Sequence, residues 1–557
     1  MKLLKIFFIF FIQTIEILFS FAHSQKIELP PIRVEKDFYF EKENFIFETP
    51  QEILEYPSSL ELRKRNDFGI AQDLFIRGAN FEDNFIFLDG ILFNHPQTGH
   101  FNLEIPLTEF DLEKIDIKET SLSLNFKIKK PEEEGFIFKN LWGEHQLIKN
   151  AFSLNYGFLD TKNRVSFSHL KSSGARENTD FEIYTFTFNS LIEEKNDFFF
   201  AYQEKSFGAD SFYSSFYPFE EEHLRQIFFR LKSSIENLKN TVYFRYFKDK
   251  FILDRYNPSF YFNLHRTYTY GVHTLLKINE DFSLGYEIKR DRLKSSRLDK
   301  HSRLKNILFF EGKFKKNLFS LNPFLKVNYT PKYDLNYCAF LENNVNLNWF
   351  NLIFSFSRSF RYPSFTELYY SSPANKGNPA LSPEKINSFE TRIEKRLNSL
   401  LLKLSFFLRR HKDAIDWVKE KESFPWQAEN VKKIKAKGAS FYIKWGKKQK
   451  LILDYTYLDL SNSPFNYSKY LFDYCQHKLS QTILLFIKSW QIRFITQFCK
   501  PISRKKYWKV DLKVTKSLNK NLSFFIEGTN IFNEDYFTTG GIKANPSWFR
   551  VGFIYRF

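Results

Sequence analysis

Cysteine is almost missing from this chain. Its 557 residues hold three, Cys338, Cys475 and Cys499, too few and too scattered for a disulfide scaffold or a zinc module. Long apolar runs are missing too. Beyond residue 24 no stretch of about 18 uncharged apolar residues occurs, which excludes an ordinary membrane-spanning helix from the mature chain. Glycine and proline number only 19 each against 43% apolar residues, which excludes a collagen-like or disordered chain. No G-x-x-x-x-G-K-[ST] loop, H-E-x-x-H or paired C-x-x-C occurs. The 11 His are dispersed, and no nucleophile lies beside a base. Neither an enzyme, a cofactor nor a resident metal is expected. Acids are short as well, 64 against 82 Lys and Arg, for a net charge of +18. That excess fits solubility or contact with an anionic surface. The cations are spread along the whole chain rather than gathered in one arm, so nucleic acid is not expected as a partner.

Aromatic side chains are abundant, with 70 Phe, 29 Tyr and 8 Trp. The mean hydropathy of −0.40 looks soluble. A membrane β-barrel keeps such a value because greasy and polar residues alternate along each strand. The N-terminus carries Lys2 and Lys5, an apolar stretch from Ile6 to Ile12, and Ala22-His23-Ser24. This is a secretory signal pattern over residues 1–24, with Gln25 as the new N-terminus.

The later chain alternates with period two. Phe549, Val551, Phe553, Tyr555 and Phe557 fall on one face, with Trp548, Arg550, Gly552, Ile554 and Arg556 on the other. Successive strand residues point to opposite faces, so one face is apolar and one largely polar. The split recurs at Val510, Leu512 and Val514 against Asp511, Lys513 and Thr515, and at Val345, Leu347 and Trp349 against Asn344, Asn346 and Asn348. Polar turn clusters separate the segments. At roughly 19 residues per strand and connection, the region 132–557 yields about 22 strands. A soluble propeller or sandwich also alternates, but repeats of about 40–50 residues are not seen. The signal pattern and the terminal Phe557 favour a barrel in a membrane.

Residues 73–90 read DLFIRGANFEDNFIFLDG. Ile76-Arg77-Gly78 and Leu88-Asp89-Gly90, with a polar turn between them, resemble the plug of TonB-dependent outer-membrane receptors. Residues 356–396 resemble the barrel signature of that family through Phe360, Arg361, Pro363, Ser364, Glu367, Leu368, Tyr369, Gly377, Asn378, Pro379, Leu381, Pro383 and Glu384. Asn430 and Gly438, and Asn530 to Tyr536, resemble later barrel motifs. The Gly-rich run that the family usually carries after its plug strand is absent from 114–131, so the plug is short.

The resemblance implies an all-β transmembrane barrel of about 22 antiparallel strands with a small N-terminal α+β plug in its lumen. The implied domains are a signal peptide at 1–24, a periplasmic segment at 25–38, a plug at 39–131 and a barrel at 132–557. Within the periplasmic segment Leu29, Pro30, Pro31, Ile32, Arg33 and Val34 fit a TonB box. Such a box adds as an extended strand to the periplasmic energy-coupling protein. Arg77, Gly78, Asp89 and Gly90 are expected to shape the plug and tether it to the barrel, because buried charges need partners. Ligand-binding candidates are Asn80, Phe81, His95, Gln97 and His100 on the plug, and Tyr213, Tyr217, Tyr369, Tyr370 and Trp426 on barrel loops. Loop aromatics clamp bulky ligands by stacking, although girdle positions explain them equally.

The implied function is import of a bulky scarce solute, such as a ferric siderophore, cobalamin or a similar metal chelate, by a monomer in the outer membrane. Its implied partners are membrane lipid, lipopolysaccharide and the TonB-type protein. A passive porin-like or adhesive barrel with a degenerate plug, and a secreted soluble protein binding polyanions, are the competing classes.

Overall fold

The structure is a computed structural model. It describes residues 46–557, apart from 133, 194, 211–215, 462–466, 471–472, 540–541 and the side chains of Lys432 and Thr539. The signal pattern, the segment 25–38 with the TonB-box candidates, and Tyr213 lie outside the described residues.

Twenty-two antiparallel strands close into one barrel. Closure joins the last strand, Trp548–Arg556, to the first, Gly135–Gly143, in a register running from Arg550↔Gly143 to Arg556↔Ile137. A closed sheet leaves no edge with unpaired backbone groups, which is what a strand protein needs in lipid. No described helix is long and apolar enough to cross a membrane.

The side chains are sorted inside out. On the last strand Phe549, Val551 and Tyr555 are exposed on the outer face, whereas Trp548 and Arg550 are buried in the lumen. Val242, Phe244, Val272, Ile288, Leu308, Phe354 and Phe389 continue the exposed apolar band around the wall. Lys149, Lys205, Arg230, Lys289, Arg409 and Glu527 point inward and are almost fully buried. Apolar side chains left outside and charges buried within are the reverse of a water-soluble fold, and they suit a hydrocarbon solvent.

The two ends differ. Connections at 159–160, 236–237, 348–349, 398–399 and 488–489 are two-residue turns. Those at 209–220, 253–261, 362–383, 461–474 and 530–547 are long. In outer-membrane barrels the short turns face the periplasm and the long loops face outward.

The plug is built from β1 (Leu60–Lys64), β2 (Gln72–Ile76), β3 (Phe85–Leu88), β4 (Ile91–Leu92), β5 (Leu112–Lys118) and β6 (Ser123–Ile128). β1 and β2 pair antiparallel, and the other four form a sheet in the order β4-β3-β6-β5 with β3 and β6 parallel. Asp89 and Gly90, both at positive φ (50° and 91°), make the two-residue turn between β3 and β4. That is the conformation Asp-Gly favours in tight hairpins. The plug's described helices are two short 3₁₀ turns, at Pro50–Glu55 and Gly99–Phe101. Its core of Ile86, Leu88, Ile115, Ile117, Leu124 and Phe126 is continuous with Phe199, Ala201, Phe228 and Tyr243 of the barrel wall. The plug therefore has no complete hydrophobic core of its own; the lumen wall finishes it.

Candidate functional site

The plug is acidic and the barrel is basic. Residues 46–128 contain 15 Asp and Glu against 7 Lys and Arg, in a chain of net charge +18. The contacts follow that division. Glu48 accepts from Lys139 and Lys149 at 2.6 and 2.8 Å. Glu55 pairs with Lys509 at 2.6 Å, Glu61 with Arg504 at 2.7 Å, and Glu104 with Lys205 at 2.7 Å. Asp89 lies against Arg230 and Lys232. Burial in such a site raises a carboxyl pKa while adjacent cations lower it. At Glu55 and Glu61 the cations prevail and hold the carboxyls down to about 2.

Arg77 reverses the polarity. It sits at φ +48° at the end of β2, a conformation uncommon for a non-glycine residue. The turn sends its guanidinium to Glu390 of the barrel at 2.9 Å and to Glu119 of the plug. Its planar face lies 4.0 Å from the ring centroid of Phe407. Gly438 makes that packing possible, since a Cβ there would fall 2.4 Å from the Phe407 ring and 2.2 Å from the Tyr457 carbonyl oxygen. Gly78 at φ +71° completes the turn.

A second plug-to-barrel junction centres on Arg361. Its Nε donates to Asp83 Oδ1 at 2.8 Å and to Glu384 Oε2 at 3.1 Å. Its two terminal nitrogens donate to Glu367 at 2.9 and 3.0 Å, a bidentate pair. The local sequence builds this geometry. Pro363 stops the strand and Ser364 caps the helix Phe365–Tyr369. The Ser364 amide in turn donates to Glu367 Oε2 at 2.7 Å. Asn378 then folds the loop back by donating to the Glu367 carbonyl at 2.8 Å. The loop also reaches the plug through its backbone. Phe365 N donates to Pro96 O at 3.0 Å and Thr366 N to Gln97 O at 2.9 Å.

Asp83, Glu384 and His411 converge closely enough to resemble a metal triad. The chemistry is otherwise occupied. His411 Nδ1 faces Glu384 and its Nε2 accepts from Arg409 Nε at 2.8 Å, while Arg361 covers both carboxylates. Two guanidiniums stand where a cation would bind. Burial and the adjacent Glu384 push Asp83 up to about 7. Burial, with Glu367 nearby, pushes Glu82 up to about 8.

The candidate ligand residues divide into two groups. Phe81 stacks on His100 at 4.4 Å between centroids, and His100 Nδ1 lies 2.8 Å from Asp73 Oδ1. Tyr470, from the loop 461–474, meets Phe81 edge-on at 5.1 Å and His100 at 6.1 Å. Tyr470 also packs on the loop cluster that holds Tyr369, Tyr370 and Trp426. Tyr369 is stacked on His301 at 3.7 Å. Phe81, His100 and Tyr470 thus form one aromatic group shared by plug and loop, with Phe81 buried, and Tyr470 packs against the same apolar cluster as Tyr369, Tyr370 and Trp426. Tyr470 is common to both sets and was not anticipated from sequence; its signal was an aromatic in a long outer connection. Asn80 is buried beside this group, its backbone N–H donating to Asp83 Oδ2 at 3.1 Å.

The remaining candidates lie apart. His95 is buried against Phe247 and Phe101, at 4.6 and 5.3 Å, with neither ring nitrogen hydrogen bonded. Burial holds its pKa well below the usual range, so the ring is neutral. His95 and His100 therefore face different surroundings. Gln97 is buried, and Tyr217 is exposed near Phe260 at 6.4 Å.

A barrel with an apolar exterior, a charged lumen and an ion-paired stopper is a plugged outer-membrane barrel. The family model described as TonB dependent receptor-like, beta-barrel, matches residues 67–531, and the chain belongs to that family. It is accordingly a multi-pass protein of the Gram-negative outer membrane. The family comprises receptors and transporters rather than enzymes. The siderophore receptor PirA from Acinetobacter baumannii superposes with a TM-score of 0.75 at 12% identity, covering 93% of this chain and 98% of that one. The FrpB iron transporter from Neisseria meningitidis gives 0.72 at 12%, covering 93% and 98%. A ferric enterobactin receptor mutant from Pseudomonas aeruginosa, in complex with enterobactin, gives 0.70 at 15%, covering 92% and 97%. At these identities the likeness shows the fold. No curated protein matches this chain.

Proposed function

We propose that this chain imports a bulky scarce solute, a ferric siderophore, cobalamin or similar metal chelate, through energy-coupled rearrangement of its plug. The observation that carries the reading is the Arg361 junction. One guanidinium holds Glu367, in the loop that bears Tyr369 and Tyr370, and Asp83, in the plug turn that follows Phe81. A ligand held by the loop aromatics and by the Phe81, His100 and Tyr470 group therefore touches two parts that one buried ion cluster joins. Aromatic rings suit a large ligand with flat or apolar edges. That solved siderophore receptors and an iron transporter share the fold supports the ligand class.

In this reading residues 1–24 are removed on export. Residues 29–34 pair with a TonB-type protein of the periplasm, and Arg77 and Asp89 tether the plug until that protein pulls. The outer membrane has no ATP, so the work comes from the inner-membrane gradient. The test is deletion of residues 27–34 followed by uptake of radiolabelled ferric catecholate, ferric hydroxamate and cyanocobalamin. Uptake of one of them by the intact chain and its loss on deletion are expected. Uptake that survives the deletion overturns energy coupling and leaves a passive barrel.

A further inference from the structure

The plug fills the lumen unevenly. From the strand Leu147–Phe158 round to the strand Phe262–Lys277, inward side chains are buried except near the periplasmic ends. The strand Asp334–Leu347 is the reverse. Its outward residues include exposed Leu335, Tyr337 and Leu341, so Asn336, Cys338, Phe340, Glu342, Asn344 and Asn346 point inward. None of these six is buried.

The plug side agrees. Lys118, at the end of β5, is exposed although it lies inside the barrel, and its Nζ is 4.9 Å from the Phe340 ring centroid. Solvent therefore enters between plug and wall at this level. Ser320 and Asn344 stand directly opposite each other on the same inward face. Ser320 Oγ and Asn344 Oδ1 have no hydrogen-bond partner in the chain. Polar atoms of this kind are satisfied by protein or by water, and here water is what remains.

The accessible strip runs the length of the wall. Its upper end lies by Arg303 and Tyr333, beneath the exposed Lys332, and its lower end is the two-residue turn 348–349. It is narrow. The side chains of Lys305, Arg392 and Glu342 are only 13%, 12% and 14% exposed, whereas a wide aqueous channel leaves such groups mostly bare.

The lining is charged in one sense. Lys305 with Asp291, Arg392 with Glu342 and Lys403 with Glu394 neutralise each other at 2.9, 3.9 and 3.5 Å. Lys326, directly opposite Cys338, forms no ion pair among the described residues. The Glu287 carboxylate that attracts it also faces Lys289 and accepts from the Tyr243 hydroxyl at 2.6 Å. Arg303 is held by a neutral group, donating to the Pro363 carbonyl at 2.7 Å. Lower down, Glu311 shares the inward face with Arg396 and Lys444. Cations in surplus around a narrow water path favour anions.

We infer that the protein passively conducts small inorganic anions through a water-filled passage between the seated plug and the strand Asp334–Leu347, with Lys326 as the selecting charge. This activity is separate from the import of a bulky cargo, which the narrow strip excludes, and it needs no energy coupling.

Cys338 supplies the probe. It is the one free thiol of the chain and lines the strip. Full-length protein purified in neutral detergent is reconstituted into planar bilayers of neutral lipid across a potassium chloride gradient. A steady conductance is expected, with a reversal potential on the chloride side. Lys326→Gln is expected to lower the chloride-to-potassium permeability ratio about fivefold, the effect of one unit charge at about 4 Å in a water-like medium. An anionic methanethiosulfonate reagent is expected to label Cys338 and reduce the conductance, and Cys338→Ser to abolish that effect. Deletion of residues 27–34 is expected to leave the conductance unchanged, so that loss of energy coupling and loss of the passage are read separately. Heat-modifiable migration checks that each variant is folded. A sealed bilayer, cation selectivity, a folded Lys326→Gln variant as selective as the parent, or a Cys338 that resists the reagent or conducts equally once labelled, each overturns the inference.

Discussion

Replacing Arg361 by glutamine removes the cation from a site where Asp83, Glu367 and Glu384 are all 3% exposed or less. Breaking a buried ion cluster by deleting one partner costs about 3–5 kcal/mol, and here three carboxyls lose the same partner. The deficit depends on pH, and its sign follows from Asp83. In the native protein its pKa is raised to about 7 from an ordinary 3.8. A raised carboxyl binds a proton in the folded state that the unfolded state has released. It therefore contributes stability that is fully present below its unfolded value and is lost as pH rises through about 7. The whole window is worth on the order of 4 kcal/mol. Without the guanidinium the folded value climbs further and the loss extends to higher pH. Arg361→Gln is thus expected to trail the parent modestly at pH 5 and strongly at pH 8. The measurement is the midpoint of heat-modifiable migration in detergent at both pH values. Asp83→Asn, which mimics the protonated form, is expected to flatten the parent's pH dependence, matching the parent near pH 4 and exceeding it at pH 8. A deficit of equal size at both pH values, or a slope left intact by Asp83→Asn, would refute the reasoning.

Arg77→Gln should leave Glu390 buried without its plug cation, with the Thr120 hydroxyl as its remaining plug donor, and lower the unfolding midpoint through a loss of about 3–5 kcal/mol; a change below 1 kcal/mol contradicts the tether. Gly438→Ala should push Phe407 from beneath Arg77 and destabilise by about 1–3 kcal/mol through overpacking, visible as a lower midpoint with the barrel still assembled. Phe81→Ala and Tyr470→Ala should each weaken binding of whichever probe the uptake test identifies about tenfold, as loss of an aromatic pair of about 0.5–1.5 kcal/mol plus buried area requires. Calorimetric titration of the purified variants measures this. Unchanged affinity in both places the ligand elsewhere. Reduction of the Cys475–Cys499 disulfide, which joins neighbouring strands, should lower the midpoint, since it closes a loop worth about 3 kcal/mol.

The wall was readable from the chain because strand alternation is local. Trp548 and Arg550 face the lumen while Phe549 and Val551 face lipid, as period two requires. The Asp89-Gly90 turn was equally readable, being set by two adjacent residues. Contacts between distant residues were not. Arg77 meets Glu390, and Asp83 meets Arg361, across hundreds of residues, and nothing in either short segment names its partner. The aromatic candidates were chosen by residue type alone. Type does not distinguish His100, stacked on Phe81 and facing Asp73, from His95, sealed against Phe247. The contrast between an acidic residue set at 46–128 and a basic remainder was present in the composition. It carries meaning only once the two parts are nested.

The spread of plug acids over many separate barrel cations has a mechanical consequence. Glu48, Glu55 and Glu61 grip Lys139 and Lys149, Lys509, and Arg504 in turn along the chain. Tension entering from the N-terminal side loads these clasps one after another, like stitches in a seam, rather than all at once. A stopper sewn in this way yields to a small force sustained over distance, and resists the same force applied evenly across its face.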